Sequence, residues 1–287
     1  MAFMDWPTSN DIFWPALDAW LHNKDMFYEH GHRLMAEGVG YLAILVMLCS
    51  YSVKQFKISK LAWAVLIMVI IQGIFGGLTV SKITPWWAST LHGAVAQICL
   101  AMMAILALKT TKLYGKAKET VLSNTGIASF SKTASILVFI QLLTGAVFRH
   151  RMKQADVNPD GTPKMVDGHV VYHEVLQGNL MFLILHISFA IVIMVVLVMF
   201  AVELKKVSSQ VKWFKFASFA VAGTLLLQLT LGFISFLTVQ QRVNNVYDQT
   251  MTLLTSAHLA NAAIILSICV FVASFCARAT TQNEENT

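Results

Sequence analysis

The chain has 287 residues, of which 56% are hydrophobic and 13% charged, with a formal net charge of +6. A soluble domain carries about a quarter charged residues, so the composition excludes a water-soluble enzyme and indicates an all-α polytopic membrane protein. The positive balance does not point to nucleic acid, because the Lys and Arg residues sit between apolar runs.

Residues 1–28 contain Asp5, Asp11 and Asp18 and no membrane-length run, and are predicted to be an outer-face segment. Seven spans are then predicted, over 29–53, 61–81, 88–108, 133–149, 176–203, 213–239 and 250–277. Most reach the roughly 20 residues that a bilayer core requires. The fourth is short, and its ends are expected a few residues further out. Residues 29–132 form an N-terminal half-bundle, 133–278 a C-terminal half-bundle, and 279–287 a tail.

Basic residues set the orientation. Lys54, Lys57, Lys60, Lys109, Lys112, Lys116, Lys118, Lys132, Lys205, Lys206, Lys212, Lys215 and Arg278 fall on one side. The other side holds fewer cations, among them Lys82, Arg149, Arg151, Lys153, Lys164 and Arg242, diluted by Asp156, Asp160, Asp167, Glu174 and Asp248. The first side is therefore predicted to be cytoplasmic, with the N-terminus outside and the C-terminus inside. Cys49, Cys99, Cys269 and Cys276 all lie within spans, so no outer-loop disulfide is expected. There is no Cys-x-x-Cys-His for covalent heme attachment. No basic start precedes an apolar stretch and cleavage site, so no signal peptide is expected.

The two halves resemble each other. In each, a His-bearing span is followed by a span with a Gln-x-x-x-Gly element and then by a second His-bearing span. The elements are Gln72/Gly76 and Gln228/Gly232, and a third copy, Gln141/Gly145, lies in the fourth span. The element suits close helix packing, since small residues let backbones approach in lipid. It is also compatible with room for a flat macrocycle, with Gln donating a hydrogen bond beside it. The repeat leaves the counterpart of 133–149 unaccounted for ahead of residue 1.

Four histidines, His32, His92, His186 and His258, fall inside four different spans. An imidazole in hydrocarbon is costly, so it faces the bundle interior and has a partner or a task. Two per half is the number needed to clamp two hemes, each between axial ligands from opposite sides of its ring. Repeat logic pairs His32 with His92 and His186 with His258. His22, His30, His150, His169 and His173 are predicted at or beyond the outer boundary, solvated. His30 and His32 point about 100° apart on a helix, and His32 is preferred because it shares a face with Glu29 at i, i+3.

Glu29 separates the two sites, since the position three before His186 is Leu183. Ligands alone suit electron transfer, whereas a carboxylate beside a substrate suits proton removal or capture of a developing cation. An acidic residue at a helix start is also favoured by the helix dipole. Arg33 can pair with a heme propionate or snorkel to the boundary. Glu37 lies two turns beyond Glu29 and receives no role. Trp86 and Trp87 read as interface anchors.

These residues carry a resemblance to the heme A synthase family: Glu29-x-x-His32-Arg33, Gly76-Gly77-Leu78-Thr79-Val80, Leu91-His92-Gly93, the later His186 and His258, and Asp5-Trp6-Pro7. The likeness spans essentially the whole chain. It implies oxidation of the C8 methyl of heme O to a formyl group through two hydroxylations and loss of water. It implies a resident heme b on His186 and His258. It also implies heme O as substrate on His32 and His92, with Glu29 catalytic beside the reacting methyl and Arg33 in the substrate site. A bacterial cytoplasmic membrane location follows from it. So do candidate partners: heme O synthase, other cytochrome oxidase assembly proteins and a second copy of the chain. The chain departs from the family in showing seven spans where members generally have eight. Ser9 and Asn10 also stand where many members carry outer-loop thiol chemistry.

A di-heme b-type electron carrier linked to quinol explains four intramembrane histidines but gives no reason for Glu29 at one site. A His-lined transporter would need polar interruptions at mid-membrane, and these spans are apolar there. A prenyltransferase making heme O would need paired Asp-rich motifs, which are absent.

Overall fold

The structure, a computed structural model, describes residues 17–22, 24–52, 56–79, 85–122, 126–156, 158–160, 162, 164–166, 169–243 and 249–281. Asp5-Trp6-Pro7, Ser9, Asn10, Asp11, Lys54, Val80, Lys82, Asp167, Asp248 and residues 282–287 lie outside them. The described chain is mostly helical, with short extended pairs and connecting turns and loops. The helices are α1 (Leu17–His22), α2 (Lys24–Ser52), α3 (Phe56–Leu78), α4 (Trp86–Lys109), α5 (Lys112–Ala117), α6 (Gly126–Met152), α7 (Leu180–Val207), α8 (Lys212–Val243) and α9 (Gln249–Cys276). Without water in the bilayer core, an apolar segment must satisfy its backbone internally, which is why these runs are helices.

Among the described residues, seven helices are long and apolar enough to cross a membrane: Met26–Ser52, Ile58–Leu78, Trp86–Lys109, Gly126–Met152, Leu180–Val207, Lys212–Thr238 and Thr252–Cys276. The chain is a multi-pass, all-α membrane protein. The fourth span runs seven residues before and three after its sequence estimate of 133–149, because Ser131, Lys132 and the Arg149-His150-Arg151 run hide its polar ends.

The chain divides into two compact units, residues 1–99 with 153–173 and residues 100–152 with 174–287. In the first, α1 packs on α2 and α2 on α3. Ala43 and Met47 of α2 and Ile58, Ala62, Val65 and Leu66 of α3 are buried. Two hydrogen bonds tie these helices at one end, Ser59 Oγ to the Ser50 carbonyl at 3.1 Å and Trp63 Nε1 to the Tyr51 hydroxyl at 2.7 Å. Within 153–173, Met165–Val166 pairs antiparallel with His169–Val170.

In the second unit, α6 packs on α7, α7 on α8, α8 on α9, and α9 back on α6. This closes a four-helix bundle in which α7 and α9 stand diagonally opposed. The turn into α7 uses Gly178 at φ +78°, a left-handed conformation that glycine adopts without strain. Asn179 follows it, buried, with its amide donating to the Val175 carbonyl at 2.8 Å. Lipid tails are as apolar as leucine, so packing and polar contacts hold such a bundle. Ser218 Oγ bonds the Ala201 carbonyl across α8 and α7 at 2.7 Å. Phe214 is fully buried, edge-on to Trp213 at 4.6 Å and to Phe275 at 5.6 Å between centroids.

Phe214→Ala is expected to lower stability by about 3–5 kcal/mol through the cavity it leaves. Phe216→Ala, at a position 77% exposed, should change it by no more than about 0.5 kcal/mol. Unfolding of the two purified variants in detergent checks the contrast.

Candidate functional site

Each of the four intramembrane histidines lies near the start of its helix: His32 on α2, His92 on α4, His186 on α7 and His258 on α9. The Gln-x-x-x-Gly elements lie toward the ends of the helices just before the last three, α3, α6 and α8. In an antiparallel hairpin this brings each element level with the histidine that follows it. Positions i and i+4 share a helix face, so Gln and Gly meet the imidazole together.

The three contacts repeat one another. Gln72 Nε2 lies 3.3 Å from His92 Nε2 and donates to the His92 carbonyl at 3.1 Å. Gln141 Nε2 lies 3.2 Å from His186 Nδ1 and 3.3 Å from Nε2, and donates to the His186 carbonyl at 3.0 Å. Gln228 Nε2 lies 3.1 and 3.3 Å from the two ring nitrogens of His258. The glycines form the floor. A Cβ at Gly145 would stand 2.8 Å from His186 Cε1, at Gly232 3.0 Å from His258 Cε1, and at Gly76 3.6 Å from His92 Cε1. In each case the element meets a side chain of the following helix. It is a slot that holds a histidine.

Two residues outside the sequence reading complete these slots. Thr144, one turn from Gln141, places its hydroxyl 3.0 Å from His186 Nδ1. Asn261, buried one turn after His258, donates to the Thr224 carbonyl at 2.8 Å and to Gln228 Oε1 at 2.7 Å. The signal for Asn261 was present, since an amide inside an apolar span needs a partner. Thr144 had no such signal, because a threonine hydroxyl in a helix ordinarily bonds the preceding turn.

His92 lies within charge–charge range of His32, and His186 within that of His258. His186 and His258 come from the diagonal helices α7 and α9. The second unit therefore directs two imidazoles inward from opposite walls, the arrangement in which bundles hold cofactors.

The amino-terminal site carries the carboxylate. Glu29 accepts a charge-assisted hydrogen bond from Arg33 at 2.7 Å, in an ion pair whose side chains are 16% and 9% exposed. From sequence Arg33 is expected at a propionate or at the boundary; in the structure it pairs with Glu29, as i, i+4 spacing allows. His30 also needs correction. It is buried, not solvated, with Trp20 of α1 edge-on at 5.9 Å, because α1 folds back over the start of α2. His32 is exposed and Glu37 is exposed. His22 is exposed and bonds the Asp18 carbonyl, and His150 is part-buried.

The family model described as cytochrome oxidase assembly protein matches residues 16–270. The chain belongs to that family, the heme A synthase family. A comparison with curated proteins finds no match. Membership makes this heme A synthase family member an enzyme of cytochrome oxidase assembly, acting on a heme substrate within the bilayer.

The residues present fit heme iron. Each site offers two imidazole donors, the number a porphyrin leaves open. Among the described residues no group of three or more His, Cys, Asp or Glu comes together to hold a bare ion. His92 Nδ1, Gln72 Oε1 and Gln141 Oε1 are buried without a hydrogen-bond partner, marking polar ground beside the rings.

Gly145→Ala is expected to drive the His186 ring from its slot and to cost about 1–3 kcal/mol through overpacking. Gly76→Ala should be close to neutral, since its Cβ would meet His92 at an ordinary 3.6 Å. Thermal unfolding of the two variants in detergent should rank them in that order.

Proposed function

We propose that the chain oxidises the C8 methyl of heme O to a formyl group, giving heme A. The observation that carries this reading is the asymmetry between the two histidine pairs. His32 has Glu29 one turn before it, ion-paired with Arg33 at 2.7 Å. At the corresponding place before His186 stands Leu183, buried and apolar. One pair is equipped to hold iron and also act on a neighbouring group, and the other to hold iron only.

In this reading His32 and His92 hold the heme O substrate, and Arg33 lies in the same site. His186 and His258 hold heme b. When bound, heme b supplies one-electron transfer to an acceptor. Glu29 stands beside the methyl and stabilises the positive charge that develops as electrons leave the substrate, or orients the incoming water. Arg33 fixes the direction of the Glu29 carboxylate by a charge-assisted bond. Two rounds each break one C–H bond and form one C–O bond to water, releasing two electrons to the acceptor and two protons, one from the carbon and one from the water. The resulting gem-diol then loses water to leave the aldehyde.

The proposal places the chain in a bacterial cytoplasmic membrane with its N-terminus outside. Support comes from Lys109, Lys112, Lys116, Lys118, Lys205, Lys206, Lys212, Lys215 and Arg278, which gather at the helix ends remote from the histidines. Heme O synthase and oxidase assembly factors are the proposed partners, with self-association as a further one.

Co-expression with a heme O source, followed by chromatography of extracted pigments, tests the reading. The native chain should yield heme A. Glu29→Ala should keep heme b and lose at least 100-fold in conversion, about the low end of general acid–base contributions. His186→Ala should lose heme b itself. Full conversion by Glu29→Ala would remove the catalytic role, and a chain yielding heme b alone would be an electron carrier.

A further inference from the structure

We propose that Thr144 is a positioning residue that holds His186 in the tautomer whose Nε2 is free to ligate iron, so that this histidine is the firmly set ligand of heme b. The inference rests on the reading of His186 as a heme b ligand and adds a residue to it.

The argument is one of proton accounting. A threonine hydroxyl has one proton to give and two lone pairs to receive. Thr144 Oγ1 gives its proton to the Gln141 carbonyl at 2.9 Å. Toward His186 Nδ1, 3.0 Å away, it can therefore only accept. Nδ1 then carries the ring proton, and the lone pair is left on Nε2. Gln141 cannot take the acceptor role instead. Its Nε2 donates to the His186 carbonyl at 3.0 Å, and turning the amide over would set Oε1 against that carbonyl. Gln141 Oε1 stays buried and without a hydrogen-bond partner on the other side.

The hydroxyl distinguishes this slot from the other two. The residue three after the glutamine is Phe75 in the α3 element and Leu231 in the α8 element. At His92 the consequence is visible, for its Nδ1 is buried with no hydrogen-bond partner. At His258, Gln228 is fixed as a donor because Asn261 occupies its Oε1. Among the described residues, the slot around His186 is the one of the three that supplies an acceptor to Nδ1–H. Such a partner fixes the ring and raises the basicity of the ligand nitrogen. A resident cofactor calls for that. A substrate that must leave does not.

The test uses the full chain purified in detergent, with Thr144→Val and Thr144→Ser compared against the unaltered protein. Heme b content and affinity are read from extracted pigment and heme titration, and the midpoint potential from a spectroscopic redox titration. Thr144→Val should bind heme b about 10–100-fold more weakly. Its potential should rise, because a less basic ligand favours ferric iron less. A tenfold preferential loss of the ferric form corresponds to about 59 mV. Thr144→Ser should retain the unaltered values. Unchanged affinity and potential in Thr144→Val, or equal impairment in Thr144→Ser, would overturn the proposal. His186→Ala serves as the control for the underlying reading. If it keeps the unaltered heme b spectrum, the ligand assignment fails and the role of Thr144 fails with it. If it loses that spectrum, a null Thr144→Val result counts against Thr144 alone.

Discussion

The structure depends on how an imidazole is kept in place inside hydrocarbon. A polar ring there gains no water to bond and is stable only when neighbouring helices supply its partners. The chain meets this need three times in the same way. The helix before each of His92, His186 and His258 presents a glutamine and, one turn later, a glycine. The glutamine carries the polar contact and the glycine lets the ring come close. At Gly145 and Gly232 the approach is so tight that a methyl group would stand within 3.0 Å of the ring.

That shared device makes the differences between the sites informative. In the second unit the slots sit on α6 and α8 and the histidines on the diagonal helices α7 and α9, so each imidazole is braced from an adjacent wall. Thr144 and Asn261 add a second layer of hydrogen bonds there, one to the ring directly and one through Gln228. In the first unit, His92 has the glutamine contact without such a layer, and His32 is exposed on α2. Beside His32 lies the Glu29–Arg33 pair. Rigid bracing suits a group that stays, and a looser clamp with a charged neighbour suits a group that is bound, altered and released. Both fit within an enzyme of cytochrome oxidase assembly.

Much of this was legible in the chain itself. Seven apolar runs separated by basic residues determined the number of membrane helices and the all-α class, because lipid leaves a backbone few other choices. The four histidines, their order and Glu29 one turn before His32 were equally plain, since charged or basic groups in apolar runs stand out. The family likeness followed from the same residues. Span ends were less clear where Ser131, Lys132 and Arg149 dilute the hydropathy of α6.

The tertiary structure decided which side chains serve which. Gln-x-x-x-Gly reads along the chain as a packing element or as room for a macrocycle, because its target is 20, 45 or 30 residues away, and the hairpin is what brings it level with the ring. His30 looked solvated until α1 folded Trp20 onto it. Arg33 chose Glu29, and Thr144 chose His186. Each of these turns on a hydrogen bond or a ring contact a few ångströms long. Hydropathy acts over whole helices and can be read along a line, whereas such contacts depend on the rotation of one helix against another, which no linear pattern records.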